Sequence, residues 1–300
     1  MSDYYSPPRL ADLDLALGKR VRLHRLLYEH GPGNGKLLIL PIDQGMEHGP
    51  LNFFPNPDSK HPNYMYELAR RGGYSAIALH YGLASKYLRD YAGDVPLLLK
   101  INGKTNIPSD DDAFSAMTGT VEDAVRLGAD AVGYTLYLGS PRQDEDFMQL
   151  TEVRTECERF GMPLVVWSYP RGSAIKAKGG RDSFYAVDYA ARVAMELGAD
   201  IVKVNFPKLD PAAGAACPKP YDQLQLDEVE AFRQVVESAG RTMVLVSGGS
   251  KISDEDLLSK VRMSLEGGAT GLIFGRNMWQ RPLDEALALT AQVKDIMAQH

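Results

Sequence analysis

Cysteine is nearly absent from this sequence: Cys157 and Cys217 are the only two in 300 residues. One falls in a helical pattern and the other in a Pro/Ala-rich loop, which gives neither a disulfide framework nor a zinc-ligand spacing. Such a composition fits a reducing cytoplasm. No apolar run approaches the ~20 residues of a membrane-spanning helix, so no membrane partner is expected. Residues 1–9 are polar and lack the apolar stretch of a secretory leader. A basic excess is missing too. With 33 Lys and Arg against 39 Asp and Glu, the net charge is −6, which leaves no footprint for nucleic acid. An anionic small ligand must therefore be held by a local site.

What is present is a repeated alternation. Short apolar, β-rich runs at 37–43, 76–82, 97–102, 131–138, 163–169, 201–206, 243–247 and 271–275 read as strands. Helical patterns separate them at about 62–71, 85–92, 119–127, 143–160, 182–197, 226–238, 253–266 and 282–298, and a further helix over 10–29 precedes the first strand. Alternating strands and helices give parallel βαβ units, and eight units predict an α/β fold closed as a single (β/α)₈ barrel. The domain expected is 1–300, with 1–36 as an N-terminal extension and helix. An open, doubly wound sheet is the alternative, because strand count alone does not prove closure. Four helix-to-strand junctions share a glycine turn (Arg71-Gly-Gly-Tyr, Leu127-Gly-Ala-Asp, Leu197-Gly-Ala-Asp, Glu266-Gly-Gly-Ala), as a left-handed residue after a helix requires. The strand-to-helix connections at 44–61, 103–118, 170–181 and 207–225 are long, and active sites of barrels are built on that side.

Ile201-Val-Lys-Val-Asn-Phe puts Ile201, Lys203 and Asn205 on one face and three apolar residues on the other. The apolar set belongs under the helices, so Lys203 points into the barrel. An ammonium is costly to bury there. Desolvation lowers its pKa, and a neutral amine condenses with ketones and aldehydes. Lys100 in Leu97-Leu-Leu-Lys-Ile-Asn has the same parity with Asn102. Spacing does not separate these two lysines, and an interior lysine paired with a carboxylate such as Asp43 is the structural alternative.

Asp43 ends the first strand and is suited to moving hydroxyl protons or to starting a turn. Glu47 and His48, with His80 at the end of the second strand, raise a metal alternative without an established spacing. Val165-Val-Trp-Ser-Tyr puts Trp167 and Tyr169 on one face, with Trp167 as a pocket wall and the Tyr169 phenol near Lys203, or with both rings as core filler. After the seventh strand comes Ser247-Gly248-Gly249, and after the eighth Gly275-Arg276. Loops at these two positions commonly cradle a phosphate, of a sugar phosphate or of a flavin.

Taken together, Leu40-Pro-Ile-Asp-Gln-Gly-Met-Glu-His-Gly-Pro, Trp167-Ser-Tyr-Pro-Arg-Gly, Val202-Lys-Val-Asn, Ser247-Gly-Gly-Ser and Phe274-Gly-Arg-Asn resemble the archaeal-type class I fructose-1,6-bisphosphate aldolases, which also occur in bacteria. The resemblance spans the barrel. It implies Lys203 as the Schiff-base lysine, Tyr169 as a proton shuttle and Asp43 as a catalytic aspartate. Trp167, Arg171, Gly248, Gly249, Gly275 and Arg276 are implied as substrate contacts, and Gln44, His48 and Ser247 in the same motifs are expected to join them. It further implies a phosphorylated sugar substrate, no metal or other cofactor, a cytoplasmic location and a large homo-oligomer, often a decamer. Lys104, Lys176, Lys178 and Lys251 are basic candidates for a second phosphate. Relatives acting as a thiolase or a transaldolase-like enzyme, a flavin-dependent oxidoreductase and a phosphosugar sensor are the alternative functions.

Overall fold

The period-two runs form strands because their alternate side chains enter two different apolar layers. A computed structural model describes residues 6–300; residues 1–5, part of the polar start read above, lie outside the described residues. The strands are β1 (Leu37–Pro41), β2 (Ala76–His80), β3 (Leu97–Lys100), β4 (Ala131–Leu136), β5 (Leu164–Ser168), β6 (Ile201–Val204), β7 (Met243–Ser247) and β8 (Gly271–Ile273). All neighbours pair in parallel, and Leu37 opposite Gly271 closes the ring. The expected closed barrel is what forms. Side chains such as Leu38, Leu40, Val166, Val202 and Val204 face outward into one apolar cluster with the helices. Their alternates Leu37, Ile39, Val165, Ile201 and Leu245 form a second cluster inside the barrel.

Eight helices follow the strands in order: α1 (Pro62–Gly72), α2 (Tyr81–Tyr87), α3 (Val121–Arg126), α4 (Gln143–Phe160), α5 (Phe184–Glu196), α6 (Glu228–Ser238), α7 (Asp254–Glu266) and α8 (Leu283–Met297). Several begin where a side chain satisfies a free backbone N–H: Thr120 and Asp123 cap α3 reciprocally, as Asp227 and Glu230 do α6. Each such cap stabilises by about 1 kcal/mol. The repeated glycine turn is left-handed at all four junctions, with φ of 61° at Gly73, 68° at Gly128, 90° at Gly198 and 99° at Gly268.

Two helix boundaries differ from the sequence reading. Helix α2 starts at Tyr81, directly off β2, and ends in a 3-10 turn, Leu88–Tyr91. The segment read as one helix over 10–29 is broken. A 3-10 turn, Leu10–Asp12, runs through extended Leu13 into a helix, Leu17–His24, and a π turn, Arg25–Glu29. Leu13 and Leu15 alternate with exposed Asp12 and Asp14, so this stretch obeys period two where a helical period was read. Its leucines, Leu10, Leu13, Leu23, Leu26 and Leu27, join the interior cluster. The extension thus closes the bottom of the barrel, which leaves the top as the open end.

One buried charge anchors that plug. Lys19, 2% exposed at its side chain, pairs with Glu158 and with Asp200 at 2.8 Å. Burial opposes the charge, but the two carboxylates outweigh it and hold the amine protonated. Removing one partner of a buried pair typically costs about 3–5 kcal/mol. The expected outcome for Lys19→Met is therefore a loss of about 3 kcal/mol in denaturant-melt stability. A change below about 0.5 kcal/mol would mean that the plug is held by its leucines alone.

Candidate active site

At the top of the barrel is a cavity of about 560 Å³. It is lined from every strand end but that of β2: Asp43, Gln44, Glu47 and His48 after β1, Lys104 and Asp110 after β3, Tyr137 after β4, and Tyr169, Arg171, Arg181 and Asp182 after β5. Lys203, Asn205 and Lys208 come from β6 and its loop, Ser247, Gly248 and Gly249 from the end of β7, and Gly275 and Arg276 from beyond β8. Of the catalytic residues and substrate contacts expected from the family resemblance, all but Trp167 line it.

The two in-strand lysines have separate fates. Lys100 is fully buried, and its ammonium donates to the Asn102 carbonyl at 3.2 Å and to the Thr135 hydroxyl. It also lies 3.9 Å from Asp43 and 3.6 Å from Glu47. This is a charge fully provided for. Lys203 lines the cavity and, among the described residues, makes no hydrogen bond or ion pair; its nitrogen lies over Trp167 and Tyr169, 5.1 and 5.3 Å from their ring centres. Burial, assisted by the positive charges of Lys100 and Arg276 and resisted by Asp43 and Glu47, lowers its pKa to about 8. Asp43, the carboxylate named as an alternative partner for Lys203, stands within ion-pair distance of Lys100 instead.

Trp167 is placed differently from the pocket wall expected. Its register neighbours are Thr135 and Lys203, and its indole is buried as the floor beneath the cavity, with Lys100 and Lys203 each 5.1 Å from the ring centre. Gly133 makes this possible: a Cβ there would stand 2.7 Å from the indole and 3.0 Å from the Lys100 side chain.

Tyr169 follows β5, and burial, then Glu47 and Asp43, raise its phenol well above the usual tyrosine range. The phenol therefore holds its proton and can act as a donor. Asp43 opens the short helix Gln44–Glu47, but its side chain does not cap it, so the carboxylate is free to face Lys100 and the cavity. Glu47, four residues on, enters the sequence pattern only as a metal candidate. It lies on the same face of the turn, and burial beside Asp43 favours its protonated form against the pull of Lys100. The signal was present in the four-residue spacing. His48 lies near Arg276, and burial and that charge lower its pKa. His80 is buried beside Lys100 and lowered to about 4. Among the described residues no group of three or more His, Cys, Asp and Glu is arranged to hold a metal.

The β7 and β8 loops are joined by Asn277, which the sequence reading did not assign. Its amide donates to the Gly248 and Ser250 carbonyls, and its oxygen accepts from the Ile252 N–H. Gly275 cannot carry a side chain, since a Cβ would stand 2.6 Å from the Gln44 amide and 2.9 Å from the Pro41 carbonyl. Arg276 adds a positive charge whose pKa burial lowers. This cup of glycine backbone and one guanidinium suits a phosphate. Across the ring, after β3 and β5, stand Lys104, Arg171 and Arg181. Of the four lysines proposed for a second phosphate only Lys104 lines the cavity. Lys176 pairs with Asp111 on the surface and Lys251 donates to the Gln280 carbonyl.

A lysine of lowered pKa, with a glycine-and-guanidinium cup on one side and a group of basic side chains on the other, suits Schiff-base chemistry on a phosphorylated carbonyl compound. Residues 37–281 match the family model described as DeoC/LacD family aldolase. The chain belongs to this aldolase family. Among curated relatives, fructose-bisphosphate aldolase class 1 of Thermoproteus tenax is 42% identical over 82% of this chain and 84% of its own. The enzyme of the same name from Halobacterium salinarum is 40% identical over 83% and 86%. A solved archaeal fructose-1,6-bisphosphate aldolase, its catalytic lysine bound to a carbinolamine intermediate of the substrate, matches with a TM-score of 0.77 at 39% identity. That match covers 91% of this chain and 99% of the other.

The family site leaves His80 as a neutral imidazole. A free histidine binds a proton near pH 6.5, whereas the folded one does so near pH 4. Between these values the unfolded chain binds more protons, so stability falls as pH falls through that window. The contribution at pH 4 is on the order of 2–3 kcal/mol. Denaturant melts at pH 7 and pH 4.5 should show a smaller acid-induced loss in His80→Gln than in the parent chain; equal losses would refute the assignment.

Proposed function

We propose that this chain is a class I fructose-bisphosphate aldolase, cleaving fructose 1,6-bisphosphate reversibly to dihydroxyacetone phosphate and glyceraldehyde 3-phosphate. The observation that carries the reading is the unpaired Lys203 amine, with its pKa near 8, between Tyr169 and a phosphate cup. The relatives' names and the likeness to an aldolase trapped as a carbinolamine support the same reaction.

In this mechanism Lys203 attacks C2 of the open-chain ketose to give a carbinolamine. Loss of its hydroxyl as water, with the nitrogen lone pair forming C=N, leaves an iminium. A base takes the C4 hydroxyl proton, the C3–C4 bond breaks, and its electron pair flows into the iminium to form an enamine as the aldehyde departs. Tyr169 delivers a proton to C3, and hydrolysis of the new iminium frees dihydroxyacetone phosphate. Asp43 handles the early oxygen-bound protons. The 1-phosphate rests on Ser247, Gly248, Gly249, Gly275 and Arg276, with Gln44 and His48 beside it, and Arg171 faces the sugar's far end. Trp167 supports Lys203 from below.

The whole chain acts as one barrel unit in this reading. We further infer a homo-oligomer, in keeping with Leu17, Val21 and Tyr28 exposed along the N-terminal segment at 80, 60 and 40%. A cytoplasmic location is in keeping with two unpaired thiols, Cys157 and Cys217, and the reaction belongs to glycolysis or gluconeogenesis.

Cleavage of fructose 1,6-bisphosphate should proceed in excess chelator. Borohydride added with dihydroxyacetone phosphate should fix a covalent adduct, mapped by peptide mass spectrometry to Lys203 and lost in Lys203→Arg. An adduct on Lys100, or none, defeats the assignment.

A further inference from the structure

The connection from β3 to α3 leaves the barrel and returns to it. Asn102 and Gly103 pair antiparallel with Met117 and Ala116, which draws the two ends together. The residues between arch beside the cavity, with a 3-10 turn, Asp110–Asp112, capped by Ser109. Asp110 turns towards the basic side of the cavity. One of its oxygens lies 2.8 Å from the Lys104 amine, and the other accepts from Arg171 Nε at 3.1 Å and lies 4.0 Å from Arg181. Arg181 also stands 4.0 Å from Asp182. A single carboxylate thus faces two close cations and a share of a third, and a surplus of positive charge remains on the lining.

The partners are not equally fixed. Arg171 lies over the rings of Tyr137 and Tyr169, 5.7 and 5.3 Å from their centres, and donates to the Pro170 carbonyl at 2.9 Å. Lys104 lies 6.0 Å from the Tyr137 ring centre. Their side chains are 16 and 14% exposed, whereas that of Asp110 is 40% exposed. Burial raises the Asp110 pKa, but the bond from Lys104 and the charges of Arg171 and Arg181 outweigh it, so the carboxyl stays below the usual range. It faces its cations as an anion. Returning a half-exposed carboxylate to water costs little, while a phosphate offers the same cations a third oxygen and a second charge.

We propose that Asp110 is a stand-in anion, displaced by the distal phosphate of the substrate, and that this exchange sets the enzyme's preference between singly and doubly phosphorylated sugars. The proposal rests on the aldolase reading above. Without distal phosphate the exchange does not occur, Asp110 keeps its partners, and the sugar binds through its first phosphate and its carbonyl carbon alone. With distal phosphate, Lys104 and Arg171 change anions without moving. Asp110 is thereby a competitor for one end of the substrate, and its charge weakens binding of the bisphosphate specifically. A permanent brace for Arg171 would act in the opposite sense, because its loss would disorder the cations and weaken bisphosphate binding.

Steady-state KM values for fructose 1,6-bisphosphate and fructose 1-phosphate, measured on the full-length parent and on Asp110→Asn, decide between them. The KM for the bisphosphate should fall about three- to tenfold in the variant, as expected for loss of a competing, partly exposed ion pair. The ratio of monophosphate to bisphosphate KM should therefore rise at least threefold, and Asp110→Glu should bring it back towards the parent value. A smaller rise, or a fall, overturns the proposal and marks Asp110 as a brace. Asp110→Ser serves the same comparison should Asp110→Asn not fold. Absence of any parent turnover or borohydride-trapped adduct overturns the aldolase reading beneath it, whereas parent turnover with a flat ratio overturns only the stand-in anion.

Discussion

An ammonium inside a β-barrel is either matched by buried anions and acceptors or holds its proton less tightly, and two lysines of one site show the two outcomes. Lys100 has the Thr135 hydroxyl, the Asn102 carbonyl, Asp43 and Glu47 around it. Asp43 and Glu47 form no ion pair with Lys203, whose amine is left with aromatic rings and open cavity. At pH 7 a pKa near 8 leaves about one amine in ten unprotonated, against roughly one in 2,500 for an ordinary lysine. The gain in nucleophile is some two hundredfold or more, obtained before any contact with substrate. Lys100 and Lys203 flank the same indole, so the charge that organises the carboxylates also discourages protonation of the amine.

The barrel makes this arrangement stable. The bottom is filled by leucines of the N-terminal extension, and the interior below the site is apolar. The inward-facing polar side chains of the strands stand in the upper layer, where His80, Lys100 and Gly133 are in register on adjacent strands, and Trp167 and Lys203 on the next pair. A single glycine opens the space for the indole. The chemistry then rests on side chains from β1, β5 and β6, while the loops of β7 and β8, stapled by Asn277, present backbone to an anion. In the proposed mechanism, rigid strands carry the reacting groups and loops carry the charges for the substrate's ends.

Much of this was legible in the chain. The eight strands were, because parallel strands under helices are short apolar runs bounded by glycine turns, and the four repeated turns gave the phase. The two glycine loops at the top of the barrel were legible from their place after the last two strands. The N-terminal segment was overextended as a helix because leucine at spacings of two, three and four satisfies both periods until Asp12 and Asp14 are seen to face water. Lys100 and Lys203 could not be separated by spacing, since each stands in a strand two residues before an asparagine. What separates them is non-local: Thr135 from β4 and Asp43 and Glu47 from β1 meet only one of them. Parity gives the face of a strand but not the depth of a side chain, so it points Trp167 to a wall where the fold makes it a floor. The basic group of Lys104, Arg171 and Arg181 is assembled from two loops, and no local pattern announces it.

The account stands on the protonation state of one nitrogen, which can be read directly. Nuclear magnetic resonance of lysine labelled at Cε and Nζ, with the Lys203 signal assigned by its loss in Lys203→Arg, gives that group's titration in the free enzyme. The account predicts a midpoint near pH 8. A midpoint at the ordinary lysine value of about 10.4 would contradict it, because the resting amine would then be as fully charged as any on the surface.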